Sequence, residues 1–336
     1  MLTVTLGQTG ITVNKNGFGA LPIQRITRSE AVQLVQQAYA QGIRYFDTAR
    51  AYSDSEEKLG VALREVRHEV FLATKTVAKT GAELKADLEM SLRQLQTDYI
   101  DVYQFHNPDF IPRPGGEDGL YDAALQAQAA GKIRYLGLTN HRWHLAEEAI
   151  ASRLYATLQF PFSYLASAKE FDLVEACVEA DMGFIAMKGL SGGLINNAKA
   201  AYAFMAQYDN VLPIWGLQRT SELEEFVSFQ AHPPVLDHEL RKVIAKDQEQ
   251  LVGGFCRGCG YCLPCPVGIN IPLAARMSLM LRRAPVATYT TPEIQENMAK
   301  IDACLHCNHC KDHCPYGLDT PALLRANYED FKTFLK

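Results

Sequence analysis

The chain has 336 residues, of which 48% are hydrophobic, enough for one large domain with a small companion and a sizeable core. A formal net charge of −5 gives no polyanion-binding signal, so nucleic acid is disfavoured as a partner. No run approaches the ~18 consecutive apolar residues of a membrane span, and the opening MLTVTLGQTG lacks the basic-then-apolar order of an export signal, so a cytoplasmic protein is expected.

In chain order, Asn16 to Pro22 reads as a first strand whose end, with Gly19 and Ala20, lets backbone approach a ligand closely. Seven more short apolar runs follow: Ile43 to Phe46, Val70 to Thr74, Ile100 to Phe105, Ile133 to Leu138, Ala156 to Phe160, Gly183 to Met187 and Val211 to Ile214. Helical patterns separate them, near Ser29 to Gln41, Ser55 to Glu65, Gly81 to Leu95, Asp118 to Ala129, His144 to Ser152, Ala166 to Asp181 and Leu194 to Gln207, with a last one at Ser221 to Phe229. Eight strand-plus-helix units are what a closed (β/α)8 TIM barrel needs, so the expected class is α/β. The Pro-containing stretch Ala231 to Val235 is the best linker, which predicts a barrel domain over 1–230 and a second domain over 231–336.

Three of the strands end in ionisable groups. Tyr45-Phe-Asp47 ends in a carboxylate, with Tyr52 five residues on in a loop, and the later runs end at Lys75 and His106. In a barrel these ends meet at one rim, where a carboxylate, an ammonium, a phenol and an imidazole suit proton transfer to a carbonyl oxygen. A free phenol titrates near ~10; an adjacent Lys ammonium lowers that value, and Asp holds the Lys in place. The competing explanation for Asp47 and Tyr52 alone is a helix cap and a packed loop aromatic.

At these residues the chain resembles the aldo-keto reductases, through YFDTARAYSDSEEKLG, FLATKT and DVYQFHNP, with the opening LGQTGITVNKNGFGALPI similar to that family's N-terminal hairpin and first strand. The resemblance runs in order over roughly residues 1–228. It implies NADP(H)-dependent reduction of an aldehyde or ketone, with Tyr52 as general acid, Lys75 and Asp47 tuning it, and His106 orienting the carbonyl. It also implies nicotinamide contacts from the strand-end pair Thr139 and Asn140 and from Gln159, although Thr139 and Asn140 equally suit capping of the next helix. The text PIWGLQRTSELEEF from Pro213 to Phe226 resembles the family's adenosine-phosphate loop. Gly216 permits the turn, Ser221 is expected to cap the helix, and Arg219, the single cation of that loop, matches a 2′-phosphate, favouring NADP over NAD. Where the family often carries an aromatic that stacks on nicotinamide, this chain has Met187, whose thioether can pack against a ring face, and Lys188.

Of nine cysteines, eight lie between Cys256 and Cys314; the ninth, Cys177, falls in an amphipathic helix and reads as a core thiol. The runs are Cys256, Cys259, Cys262, Cys265-Pro and Cys304, Cys307, Cys310, Cys314-Pro. This is the bacterial ferredoxin habit, in which the fourth cysteine serves the other cluster. Two 4Fe-4S clusters are expected, one on Cys256, Cys259, Cys262 and Cys314, the other on Cys304, Cys307, Cys310 and Cys265. The first run is one residue short before Cys265, and the competitor is two structural zinc sites. His306, His309 and His313 are treated as surface groups. The stretches Leu273 to Arg283 and Glu293 to Met298 look helical, so the module is expected to be mostly helical and ferredoxin-like. The resemblance extends to the aldo-keto reductases that carry such a C-terminal domain. The alternative function is an electron-transfer or docking protein in which the clusters serve a ferredoxin-like or other redox partner and the barrel is scaffold.

Overall fold

The computed structural model describes residues 2–251, 255–283 and 285–335. Two compact units emerge: Met1–Gly189 with Ala198–Val243, and Leu190–Asn197 with Ile244–Lys336. Among the described residues no helix is long and apolar enough to cross a membrane.

The first unit opens with an antiparallel hairpin, β1 (Thr3–Thr5) and β2 (Thr12–Asn14). Eight parallel strands then close a barrel: β3 (Gly17–Gly19), β4 (Tyr45–Asp47), β5 (Phe71–Thr76), β6 (Ile100–His106), β7 (Ile133–Thr139), β8 (Thr157–Pro161), β9 (Gly183–Met187) and β10 (Val211–Gly216), with β10 pairing back onto β3. Strands in such a barrel are covered on both faces, so they read as continuous apolar runs, and six of the seven β6 residues are buried. The hairpin's Val4, Leu6, Ile11 and Val13 share a core with Tyr45, Ala73, Val102, Ile185, Leu212 and Ile214. One end of the barrel is thereby filled with hydrocarbon, and the carboxyl ends of the strands are left for chemistry.

The helices of this unit are α1 (Arg28–Ala40), α2 (Ser55–Leu63), α3 (Gly81–Gln94), α4 (Leu120–Ala129), α5 (Trp143–Ser152), α6 (Ala168–Glu179), α7 (Ala198–Met205) and α8 (Thr220–Ala231). Their starts follow local chemistry: Thr27 with Glu30 forms a reciprocal capping box at α1, Glu170 reaches back to the amide and hydroxyl of Ser167 at α6, and Thr80 caps α3. The helix expected from Leu194 begins only at Ala198. The intervening residues belong to the segment Leu190–Asn197 of the second unit, whose Leu194 carbonyl is taken by the Arg283 guanidinium.

Helix α9 (His238–Gln250) begins in the first unit and from Ile244 belongs to the second, which continues with α10 (Ile271–Ala274), α11 (Met277–Arg283), α12 (Val286–Tyr289), α13 (Pro292–Ala299), α14 (His309–Asp312) and α15 (Thr320–Thr333). No strand occurs among the second unit's described residues. The core gathers Ile269, Ile271, Met277, Leu281, Met298, Ile301, Leu324 and Phe331, with Cys262 and Cys310 among them. The module is helical, as its apolar spacing predicts, and its cluster-type cysteines occupy the connections between helices except Cys310, which lies in α14.

Candidate active site and cysteine cavities

Alternation along the strands decides which side chains enter the barrel. Tyr45 and Ala73 lie in the apolar layer shared with the hairpin, and two residues further along each strand come Asp47 and Lys75. On β6 the same step runs from Val102 through Gln104 to His106. A polar layer therefore rests directly on an apolar one. Lys75 Nζ donates to Asp47 Oδ1 and to the Thr48 carbonyl, both at 2.6 Å. The two side chains are 1% and 3% exposed, so this is a buried ion pair. Burial pushes Asp47 up and Lys75 down from their ordinary values, and their mutual attraction opposes both shifts. Gln104 Nε2 and Gln159 Nε2 also donate to Asp47, at 3.2 and 3.4 Å.

Tyr52 comes from the loop between β4 and α2. Backbone bonds from Tyr52 N to Ala49 O (3.0 Å) and from Ser55 N to Tyr52 O (2.9 Å) fold that loop into a turn. The Tyr52 ring meets the His106 ring edge-on, with centroids 5.7 Å apart, and Lys75 Nζ lies 5.3 Å from the Tyr52 ring centroid. All four residues of the sequence tetrad are thus brought together. Burial, and then the Lys75 charge, push the His106 imidazole down to about 3, so it is neutral near pH 7. Its Nδ1 is buried without a hydrogen-bond partner among the described residues.

Two neighbours escaped the sequence reading. Gln104 is fully buried beside Asp47; its position two residues before His106, on the same strand face, was the available signal. His141, 5% exposed, is held well below the usual histidine value by burial and then by the charges of Lys188 and Arg142. No local pattern marks it.

Register places the expected cofactor residues around the same ring. Gly216 pairs with Gly19, and Gly19 with Asp47. His106 pairs with Thr139, Thr139 with Gln159, and Pro161 with Met187. Ala20 is fully buried beside Gly19, its amide bonded to the Asp47 carbonyl at 2.8 Å. Gln159 Oε1 is buried without a partner among the described residues. Asn140 does not cap α5, whose N-cap is Arg142 with no side-chain bond; its Oδ1 accepts from the amides of His141 and Arg142, both at 2.8 Å, which turns the chain ahead of the helix, and its Nδ2 donates to Pro108 O at 2.9 Å. Lys188, at φ 58°, ends β9 in a left-handed turn. Ser221 does not cap the last barrel helix. That helix starts one residue earlier with Arg219 at the N-cap, because Glu222 reaches back to the amides of Gln218 (2.9 Å) and Arg219 (3.2 Å) and also takes the Arg219 guanidinium. Ser221 is exposed in the first turn.

In the second unit the cysteines surround two cavities. One, of about 360 Å³, is lined by Cys256, Cys259, Cys262, Cys310 and Cys314; the other, of about 400 Å³, by Cys262, Cys265, Cys304, Cys307 and Cys310. Each cavity thus draws two cysteines from the other run, and Cys262 and Cys310 line both. Among the described residues no three His, Cys, Asp or Glu side chains gather tightly enough to hold a single ion. Sulfurs spaced around a cavity suit a polynuclear cluster better than a lone tetrahedral zinc. Burial, and then the neighbouring Cys259 and Cys256, push the Cys262 thiol up to about 12, so a metal's charge is needed to make it a thiolate. His306 and His309 line the larger cavity and His313 the smaller; the rings of His309 and His313 stack at 4.0 Å.

A closed parallel barrel with a buried Lys–Asp pair at its carboxyl end, joined to a helical cysteine module, defines a two-part architecture. Comparison with known proteins gives each part a family. The model for the "Aldo/keto reductase family" matches residues 15–227, and the chain belongs to that family; the model for a "4Fe-4S dicluster domain" matches residues 255–319. Among curated proteins the chain is similar to aldo-keto reductase YhdN of Bacillus subtilis, with 31% identity over 47% of this chain and 53% of that one. It is also similar to L-galactose dehydrogenase of Arabidopsis thaliana, with 32% identity over 40% and 47%. Such matches span from about half to about two thirds of the relatives' lengths. Among solved structures, aldo-keto reductase AKR11C1 from Bacillus halodurans superposes with a TM-score of 0.65 at 22% identity, covering 74% of this chain and 96% of that one. An aldo-keto reductase from Klebsiella pneumoniae in complex with NADPH gives 0.64 at 24%, covering 73% and 94%. At these identities the structural likeness establishes the fold.

Proposed function

We propose that the protein is an NADP(H)-dependent oxidoreductase that reduces an aldehyde or ketone, built from a barrel domain over 1–230 and an iron–sulfur domain over 231–336. The observation that carries the reading is the Tyr52 phenol standing beside both the buried Lys75 ammonium and the neutral His106 ring. Bound NADPH would supply a hydride to the carbonyl carbon. Tyr52 hands its proton to the developing alkoxide, and Lys75, anchored by Asp47, stabilises the phenolate left behind. A neutral His106 donates an N–H to the substrate oxygen without competing for the proton. The site fits the nicotinamide end of the cofactor in one respect: Gln159 Oε1 is a buried acceptor without a partner among the described residues, suited to a carboxamide N–H. Gly19 and Gly216 serve packing instead, since a Cβ on either would meet protein, Trp215 O and Pro22 Cγ each at 3.1 Å. Support for NADP comes from Arg219 at the N-cap of α8, whose exposed pairing with Glu222 a 2′-phosphate would replace.

The second unit is read as holding two 4Fe-4S clusters, with Cys314 completing the site of Cys256, Cys259 and Cys262, and Cys265 completing that of Cys304, Cys307 and Cys310. Nicotinamide passes two electrons as hydride whereas a cluster accepts one, so the clusters stand outside the hydride step. NADPH oxidation with a panel of aldehydes and ketones tests the enzyme reading. Tyr52→Phe should lower the rate about 10²- to 10⁴-fold; a variant as active as the parent sinks it.

A further inference from the structure

The segment Leu190–Asn197 follows β9 in the chain yet packs wholly within the second unit. Two arginines hold its backbone. Arg283 Nε donates to the Leu194 carbonyl at 2.6 Å, while its Nη2 meets Asp247 at 2.7 Å and its Nη1 meets Gln250 at 3.0 Å. Arg276 Nη1 donates to the Gly192 carbonyl at 2.5 Å, and its Nε is fixed by Pro272 O at 2.7 Å. The two arginines differ in what lies behind them. A Cβ placed on Gly258 would stand 3.1–3.3 Å from three atoms of the Arg276 guanidinium, so that group lies flat on the Cys256–Cys259 connection. A Cβ on Gly192 would meet Arg276 Nη1 at 2.7 Å and the Arg257 carbonyl at 3.5 Å. Both glycines have left-handed φ, 63° and 67°, and neither leaves room for a side chain. Gly258 N in turn donates to Cys256 Sγ at 3.3 Å.

We propose that Arg276 is a positioning residue linking the cluster site of Cys256, Cys259, Cys262 and Cys314 to the loop Leu190–Asn197, so that the charge state of that cluster sets the protein's affinity for NADP(H). The inference rests on the two-cluster, NADP(H)-binding reading above. Four thiolates around a 4Fe-4S cluster carry net negative charge, and one-electron reduction, by an external one-electron donor, adds one more. A guanidinium beside the ligand loop favours the reduced form and is itself held harder by it. The same guanidinium fixes Gly192, and through Gly189 the chain leads directly back to Lys188 and Met187 at the end of β9. Tightening of the loop therefore reaches the strand end assigned to the cofactor by covalent continuity.

Anaerobic holoprotein carrying Arg276→Gln, Arg276→Lys or Arg283→Gln separates the elements of this link. In an EPR-monitored redox titration, Arg276→Gln should lower the midpoint potential of one cluster and leave the other in place; Arg276→Lys should restore it, and Arg283→Gln should move neither. Hydrogen exchange across residues 190–197 should quicken in Arg276→Gln and in Arg283→Gln. NADPH affinity should differ between the dithionite-reduced and oxidised parent, and that difference should vanish in Arg276→Gln. Unchanged potentials, unchanged exchange in the loop, or a parent affinity independent of redox state each overturn the proposal. A parent that binds no NADPH in either state instead removes the cofactor reading, while the potential and exchange measurements still judge Arg276.

Discussion

A lysine with almost no access to water keeps its charge only while a carboxylate meets it, and Asp47 is placed to do so. Lys75→Met would strand Asp47 in a site whose other donors are two glutamine amides, costing about 3–5 kcal/mol. Removing both charges with Asp47→Asn and Lys75→Met together should cost less than the sum of the single changes, as urea unfolding of the four proteins would show. A double variant that is strictly additive would mean that the pair is not coupled. The neighbouring imidazoles set a pH dependence of definite sign. His106 and His141 take up protons near the ordinary 6.5 when unfolded, but only far lower when folded, His106 at about 3. Stability is therefore complete above about 6.5 and falls as pH drops towards 3, by up to ~1.4 kcal/mol per pH unit for each group. His141→Asn should make the loss between about pH 7 and about pH 5 shallower than in the parent; an unchanged slope would show that His141 is not held neutral by the fold.

At the scale of elements, the residues that precede α8 are tied to its first turn. Glu222 takes the amides of Gln218 and Arg219, and the Arg219 guanidinium lies along the same carboxylate with a side chain 70% exposed. That pair is solvated and weak, so a phosphate would displace it at little cost. Arg219→Ala should weaken NADPH binding about 10- to 100-fold, the range of a lost charge-assisted contact, and leave NADH binding unchanged. Fluorescence titration with both nucleotides reads the ratio, and equal losses for the two would remove Arg219 from phosphate recognition. The cysteine runs give a matching prediction. Cys265 lines the cavity of the second run although its own run is one residue short. Cys265→Ser should therefore disturb the EPR signal of one cluster and spare the other; loss of both signals, or of neither, would contradict the crossed ligand set.

For the molecule as a whole, the two units make separable commitments. Anaerobically purified protein should contain about eight iron and about eight sulfide per chain if both cavities are filled by 4Fe-4S clusters. NADPH added without flavin should leave the cluster absorbance unchanged, because hydride chemistry offers a cluster no single electron; rapid bleaching would place the clusters in the turnover path. How much of this organisation was legible beforehand follows from the range of each interaction. Strand alternation, apolar continuity and the two-residue spacing of the cysteines are local, so the eight barrel strands, the tetrad of Asp47, Tyr52, Lys75 and His106, and the cysteine module could be read from the chain alone. Gln104 was legible in principle and was missed beside a more conspicuous histidine. What only the tertiary structure decided depends on partners far apart in sequence. The bond from Gln159 to Asp47 spans 112 residues, and that from Arg276 to Gly192 spans 84. His141 is neutral because the folded chain buries it and brings Lys188 near it, and Leu190–Asn197 is a loop of the second unit because two distant arginines hold it there. No local pattern encodes such pairings, since their energy exists only once chain closure has brought the two ends together.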